Sequence, residues 1–316
     1  MPDAFRTRRR GLSAVAGRPG PCASRSRAAA LALAAAVALP AGAQSARLLV
    51  VQSADSPRLV RTLAALRERS PLPVDVVPLP HDAHELSREW SRSGRGSVLV
   101  ALGPRASDAV VEVGLGGAAV HCLAGADALR AGLPAVPSEV PVDQQAAWLG
   151  RLLPRARTVG LLYDPAINTR RAEAHAAGLA LAGYRTLQQP VASPADLPHG
   201  LERLAGRADV LLALPDGTVY THESSRGLLL YSFRKRIPLV GPGEQWVKRG
   251  ALYALDWDYA DVGAACAALA ARESNPRAPA AVAQPRIRVS VNTKSAGHFG
   301  VAWPDDLLRL VDARHE

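Results

Sequence analysis

Leu48-Leu49-Val50-Val51-Gln52, the loop Ser53-Ala54-Asp55 and the helical spacing of Leu59, Leu63 and Leu66 decide the fold. The first run is apolar nearly throughout instead of alternating, as in a strand covered on both faces. The three leucines recur at i, i+4 and i+7, which puts them on one face of a helix over Pro57–Arg69. The unit is a buried strand, a short loop and an amphipathic helix.

The same unit repeats outward from this stretch. Strands are predicted at Val74–Pro78, Val98–Gly103 and Ala118–Leu123, with helices at Ala83–Ser91 and Arg105–Val113. Pro134, Pro137 and Pro141 then space a segment with neither period, read as a crossover. The alternation restarts with helix Asp143–Leu153 and strand Thr158–Tyr163. Helix Thr169–Ala182, strand Arg185–Val191, helix Pro194–Arg207 and strand Val210–Leu214 follow. Next come helix Glu223–Lys235, strands Ile237–Gly241 and Ala251–Leu255, and helix Tyr259–Arg272. A Pro/Ala-rich linker over Asn275–Pro285 leads to strand Ile287–Val291 and two short helices. Two such runs predict an α/β protein of two doubly wound, Rossmann-like lobes joined by a hinge. Residues 44–141 with about 256–285 are assigned to lobe 1, and residues 142–255 with about 286–316 to lobe 2.

The first 43 residues read differently. Seven arginines between Arg6 and Arg27 precede the apolar run Ala28–Leu39, then Pro40 and the small-residue site Ala41-Gly42-Ala43. That order is a secretory signal peptide with cleavage near Ala43-Gln44, and a periplasmic location follows from it. The apolar run is shorter than the ~20 residues of a membrane span. Arg8-Arg9-Arg10 stands too far from the apolar run for a twin-arginine signal. Without these residues, which hold seven arginines and one aspartate, the formal charge falls from +10 to +4. No basic run in the remainder is interleaved with aromatics, so a nucleic-acid partner is not expected. Of the three cysteines, Cys122 and Cys266 sit in apolar runs and are expected to be free, buried thiols. No C-x-x-C is present.

Catalytic signatures are missing: there is no G-x-S-x-G, no H-E-x-x-H and no phosphate-binding lysine loop. Gly114-Leu115-Gly116-Gly117 follows a helix and precedes a strand, the reverse of a dinucleotide loop, and reads as a helix end. His81, His84 and Glu85 share a helical face, read as solvated and not as a metal site. No catalytic residue, metal or cofactor is predicted.

In doubly wound sheets, loops at the carboxyl ends of strands line the ligand crevice. Those loops carry Ser53 and Asp55, Gly103 and Arg105, Asp164, Asp216 with Gly217, Gly241 with Glu244, and Asp256 with Trp257. Asp55 and Asp216 read as an acid/base pair, as acceptors for a ligand amine or hydroxyl, or as helix caps. Tyr253, Asp256, Trp257, Asp258 and Tyr259 join aromatics to carboxylates, which suits a ligand with an apolar body and a cationic end. Trp257 reads equally as a cleft wall and as a core ring, Tyr253 and Trp246 as packing. Arg105 reads equally as a carboxylate holder and as a solvated arginine.

The runs Ala208–Asp216, Arg234–Pro242, Val247–Ala254 and Arg288–Ala296, with Leu152–Tyr163 before them, resemble the ABC-transporter substrate-binding family that includes tryptophan/tyrosine-type binders. The resemblance covers most of residues 46–312. It implies a type I periplasmic-binding-protein fold and an extracytoplasmic receptor that closes by its hinge on a small polar or aromatic solute and feeds an inner-membrane ABC permease as a monomer. It places Asp216, Gly217, Thr218, Gly241 and Glu244 on one cleft wall and Ser53 and Gly103 on the other. The loop Asp216-Gly217-Thr218 stands where many amino-acid binders are asparagine-rich, and Gly103-Pro104-Arg105 lacks a small hydroxyl residue. An amino-acid ligand therefore does not follow from the resemblance. The other reading of such a fold is a sensor or regulator of the cell envelope without transport.

Overall fold

A computed structural model describes residues 46–53, 55–93, 96–275 and 284–316. The predicted signal peptide and most of the Pro/Ala-rich linker lie outside the described residues.

Five parallel strands form the first sheet, in the order β2-β1-β3-β4-β5. They are β1 (Leu48–Gln52), β2 (Val74–Pro78), β3 (Val98–Leu102), β4 (Ala119–Ala124) and β5 (Ala135–Pro137). Helices α1 (Pro57–Arg69), α2 (Ala83–Arg92), α3 (Pro104–Glu112) and α4 (Ala126–Arg130) connect them. Every residue of β1, β3 and β4 is buried, as apolar runs without alternation require. On edge strand β2 Asp75 is exposed and bonds Arg47 at 2.6 Å.

Seven strands form the second sheet, in the order β12-β11-β10-β9-β8-β6-β7. Its chain runs α5 (Val142–Leu152), β6 (Thr158–Tyr163), α6 (Pro165–Leu181), β7 (Arg185–Pro190), α7 (Leu197–Leu204), β8 (Val210–Leu212), α8 (His222–Lys235), β9 (Leu239–Gly241), α9 (Glu244–Lys248) and β10 (Tyr253–Trp257). Helix α10 (Tyr259–Ser274) follows, then β11 (Ile287–Asn292), α11 (Thr293–Phe299), α12 (Asp305–Leu308) and β12 (Ala313–His315). Among the described residues only the β10–β11 pairing of this sheet is antiparallel.

Helix α10 lies between two strands of the second sheet in sequence but packs on the first. Val262, Ala265, Cys266 and Ala270 share a core with Leu48, Val50, Val100 and Val120. The approach to α1 is so close that a Cβ on Gly263 would overlap the Thr62 carbonyl oxygen. The chain thus passes between the two sheets after β5, after β10 and again before β11. These are the hinge-joined lobes of a type I periplasmic-binding-protein fold.

One core expectation is corrected. Cys122 on β4 and Cys266 on α10 are not free thiols; they form a disulfide, with Cα atoms 5.9 Å apart. The apolar surroundings that suggested two separate buried thiols are one shared core, in which the two side chains meet.

Candidate ligand cleft

At the carboxyl ends of the first sheet, Ser53 and Gly103 form one small cluster. Ser53 Oγ accepts from the Ala106 N–H at 2.8 Å, capping the first turn of α3. Gly103 has φ +96°, and a Cβ there would stand 2.6 Å from Ser53 Oγ, so this approach needs glycine. Asp55 is exposed and accepts from Gln52 Nε2 at 2.7 Å. Arg105 is exposed on the first turn of α3.

In the second sheet the loops after β6 and β8 are tied together. The Asp216 carboxylate is buried and accepts from four N–H groups. They are Asp164 N and Asn168 Nδ2 at 2.7 Å, and Thr218 N and Val219 N at 2.9 Å. Asp164 caps α6 through Ala166 N and accepts from the Thr218 hydroxyl at 2.6 Å. The Thr218 hydroxyl, then the Ala166 N–H, hold the Asp164 carboxyl below its ordinary range against slight desolvation. Gly217 is exposed at the tip. Glu244, further along the rim, pairs with Lys248 at 3.0 Å and His315 at 3.2 Å.

A cavity of about 70 Å³ lies where the two sheets face each other, beside the chain crossings. Three predicted site residues line it: Gly241, Asp256 and Trp257. Ser53, Asp55, Gly103, Arg105, Asp164, Asp216, Gly217, Thr218 and Glu244 do not. Trp257 serves the core and the cavity together: it is buried among the first-sheet core residues, and its indole N–H donates to the Pro137 carbonyl at 3.0 Å. Asp256 Oδ1 accepts from the Trp257 N–H at 3.0 Å and from the Tyr259 hydroxyl. Burial raises the Asp256 carboxyl above its ordinary range, opposed by the Tyr259 hydroxyl and by Arg58. Tyr253 and Trp246 are buried in second-lobe cores.

The cavity's other polar groups come from outside the strand-end loops. Arg58 stands on the first turn of α1. Glu139 follows β5 and accepts from Arg171 Nε on α6 at 3.0 Å. His175, one turn further along α6, holds Arg171's carbonyl through Nδ1 at 3.0 Å, with Nε2 3.9 Å from Glu139. Burial lowers the His175 pKa, so the ring is held neutral; the Arg171 carbonyl and Glu139 oppose that shift. Gln145 on α5 donates to the Val140 carbonyl at 2.7 Å. The Arg171–His175 spacing of four was the one visible sequence signal for this group. Glu139 has none, because the three residues of β5 before it are too few to show a period. Among the described residues no cluster of histidine, cysteine or carboxylate has the arrangement of a metal site. None of their helices is long and apolar enough to cross a membrane.

Residues 131–314 match the family model described as ABC transporter substrate binding protein. The chain belongs to this family. Members of the ABC-transporter substrate-binding family are extracytoplasmic, bind small ligands and deliver them to ABC permeases. No curated protein matches the sequence. Among solved structures, a ligand-free, open substrate-binding protein with adhesive properties from Clostridium difficile aligns with TM-score 0.66 and 16% identity, over 86% of this chain and 100% of that one. A conserved domain protein from Vibrio cholerae aligns with TM-score 0.58 and 20% identity, over 85% and 99%. An ABC domain from Streptococcus pneumoniae in complex with L-Trp aligns with TM-score 0.57 and 15% identity, over 85% and 99%. At these identities the likeness is one of fold.

Proposed function

We propose that this substrate-binding protein is the periplasmic receptor of an ABC uptake system, exported with cleavage near Ala43-Gln44. It acts as a monomer, binds no nucleic acid and catalyses no reaction. It takes a small polar or aromatic solute between its lobes and closes on it by hinge motion. Lobe 1 is residues 44–141 with about 256–285, and lobe 2 is 142–255 with about 286–316.

The observation that carries the reading is the cavity at the chain crossings, lined from both sheets by Arg58, Glu139, His175 and Asp256. A ligand touching groups from both lobes stabilises the closed form over the open one, because only closure satisfies both sets. Gly241, Asp256 and Trp257 are the inner contacts. The loops bearing Ser53, Asp55, Gly103 and Arg105 form one outer wall, and those bearing Asp164, Asp216, Gly217, Thr218 and Glu244 the other.

A thermal-shift screen of the protein purified from the full chain tests this. Solutes span amino acids, nucleosides, organic acids, vitamins and short peptides. A true ligand at 100 times its Kd stabilises by about 2.7 kcal/mol, changes Trp257 fluorescence, and loses affinity with Asp256→Asn. A flat response to every class refutes the receptor reading.

A further inference from the structure

The cleft cavity is small for a whole solute: about 70 Å³ is room for roughly five waters at ~15 Å³ each. It shares the lining residues Ser138, Glu139, Val140 and His175 with an open channel of about 560 Å³ between α4 and the first half of α6. That is the size of a ligand pocket. The wall of the channel is apolar and presented from both lobes. Leu129 on α4 is 43% exposed and Ile167 on α6 is 66% exposed. Side chains of this size left open to water inside a concave surface mark a binding surface more than a core.

The charge of the channel is one-sided. Arg130, Arg170 and Arg171 line it against a single carboxylate, Glu139. Arg171 is committed to Glu139, Asn168 and the Pro215 carbonyl, and Arg130 to Asp127. Arg170 is exposed and has no ion pair or hydrogen bond among the described residues. It follows Ile167 by three residues, so the two share one face of α6.

We propose that the solute is an amphiphilic carboxylate, its apolar body lying along Leu129 and Ile167 and its carboxylate meeting Arg170. This rests on the receptor reading. A planar guanidinium matches a carboxylate in two parallel hydrogen bonds. The apolar wall supplies affinity that grows with the length of the body, about fourfold per buried methylene.

The test is isothermal titration of the full-chain protein with hexanoate, octanoate and octan-1-ol, beside the solute screen above. Octanoate is expected to bind about sixteenfold tighter than hexanoate, and octan-1-ol at least tenfold weaker than octanoate. Arg170→Gln weakens octanoate about tenfold and leaves octan-1-ol unchanged. Ile167→Ser weakens both, and Leu181→Ser, at a 93% exposed leucine away from the channel, changes neither. If another solute class binds in an Asp256-dependent way and octanoate does not, the carboxylate proposal is overturned while the receptor reading stands. If nothing binds, both fall. Octanoate binding indifferent to Arg170→Gln and Ile167→Ser also overturns the proposal. So does a concentration-dependent dimer abolished by Ile167→Ser in a protein that ignores octanoate, since the channel would then be a contact between copies.

Discussion

The backbone N–H of Asp164 donates to the Asp216 carboxylate at 2.7 Å, joining the loop after β6 to the loop after β8. Three further N–H groups converge on the same carboxylate, from Asn168, Thr218 and Val219. Removing a buried acceptor leaves its donors without partners, at about 1–3 kcal/mol for each group cut off from water. Asp216→Ala is therefore expected to lower the unfolding free energy by about 3 kcal/mol, measured by urea denaturation at pH 7. Asp216→Asn keeps one carbonyl oxygen as acceptor and is expected to lose less. A stable Asp216→Ala protein that has lost only ligand affinity would mean that this carboxylate serves the solute and not the loops.

The Cys122–Cys266 bridge fastens α10 to β4 across 144 residues of sequence. Long loops lose the most chain entropy when closed, and removing a native bridge typically costs about 2–5 kcal/mol. Non-reducing peptide mapping of exported protein is expected to recover the two cysteines as one linked pair. The double variant Cys122→Ser with Cys266→Ser is expected to unfold at lower urea, by an amount in that range. Recovery of both as free thiols from an oxidising compartment would contradict the bridge.

Elements with a strong local signature were legible in the sequence. Strands β1, β2 and β6 and helix α1 have the predicted limits: β1 and β6 are apolar nearly throughout, and the i, i+4, i+7 leucines mark the buried face of α1. Strand β5 was hidden in the proline-spaced segment, and the five-residue helix α4 in the short unassigned stretch just before it. A three-residue strand is too short to show a period, and β5 accommodates Pro137 because it is an edge strand. Strand β10 lies two residues later than expected. It continues through the half-buried Asp256, which pairs with Arg288 across the antiparallel ladder, where an apolar reading stops. The cleft was legible only at Gly241, Asp256 and Trp257. Arg58, Glu139, Gln145 and His175 sit on helices and a chain crossing, and only the packing of the two sheets brings them together.

His121 and His175 give stability a sign in the range between neutral and mildly acidic pH. His121 is fully buried, with Nδ1 3.0 Å from Ser107 Oγ and Nε2 3.1 Å from the Gly116 carbonyl. Nε2 therefore carries the proton and Nδ1 accepts, a satisfied neutral ring. Burial lowers both histidines below the ordinary value of 6.5. As pH falls through 6.5 the unfolded chain takes up protons that the folded one refuses, so the unfolded state gains and stability is lost. Above 6.5 neither state binds the proton and the contribution is complete. The unfolding free energy is thus expected to be lower at pH 5.5 than at pH 7.5, by no more than about 1.4 kcal/mol per pH unit for each histidine. Urea titrations at the two pH values check this, and His175→Gln should flatten the difference in part, because glutamine has no proton to take up. A difference that His121→Gln and His175→Gln together leave intact would assign the slope to other groups and show that neither ring resists protonation in the fold.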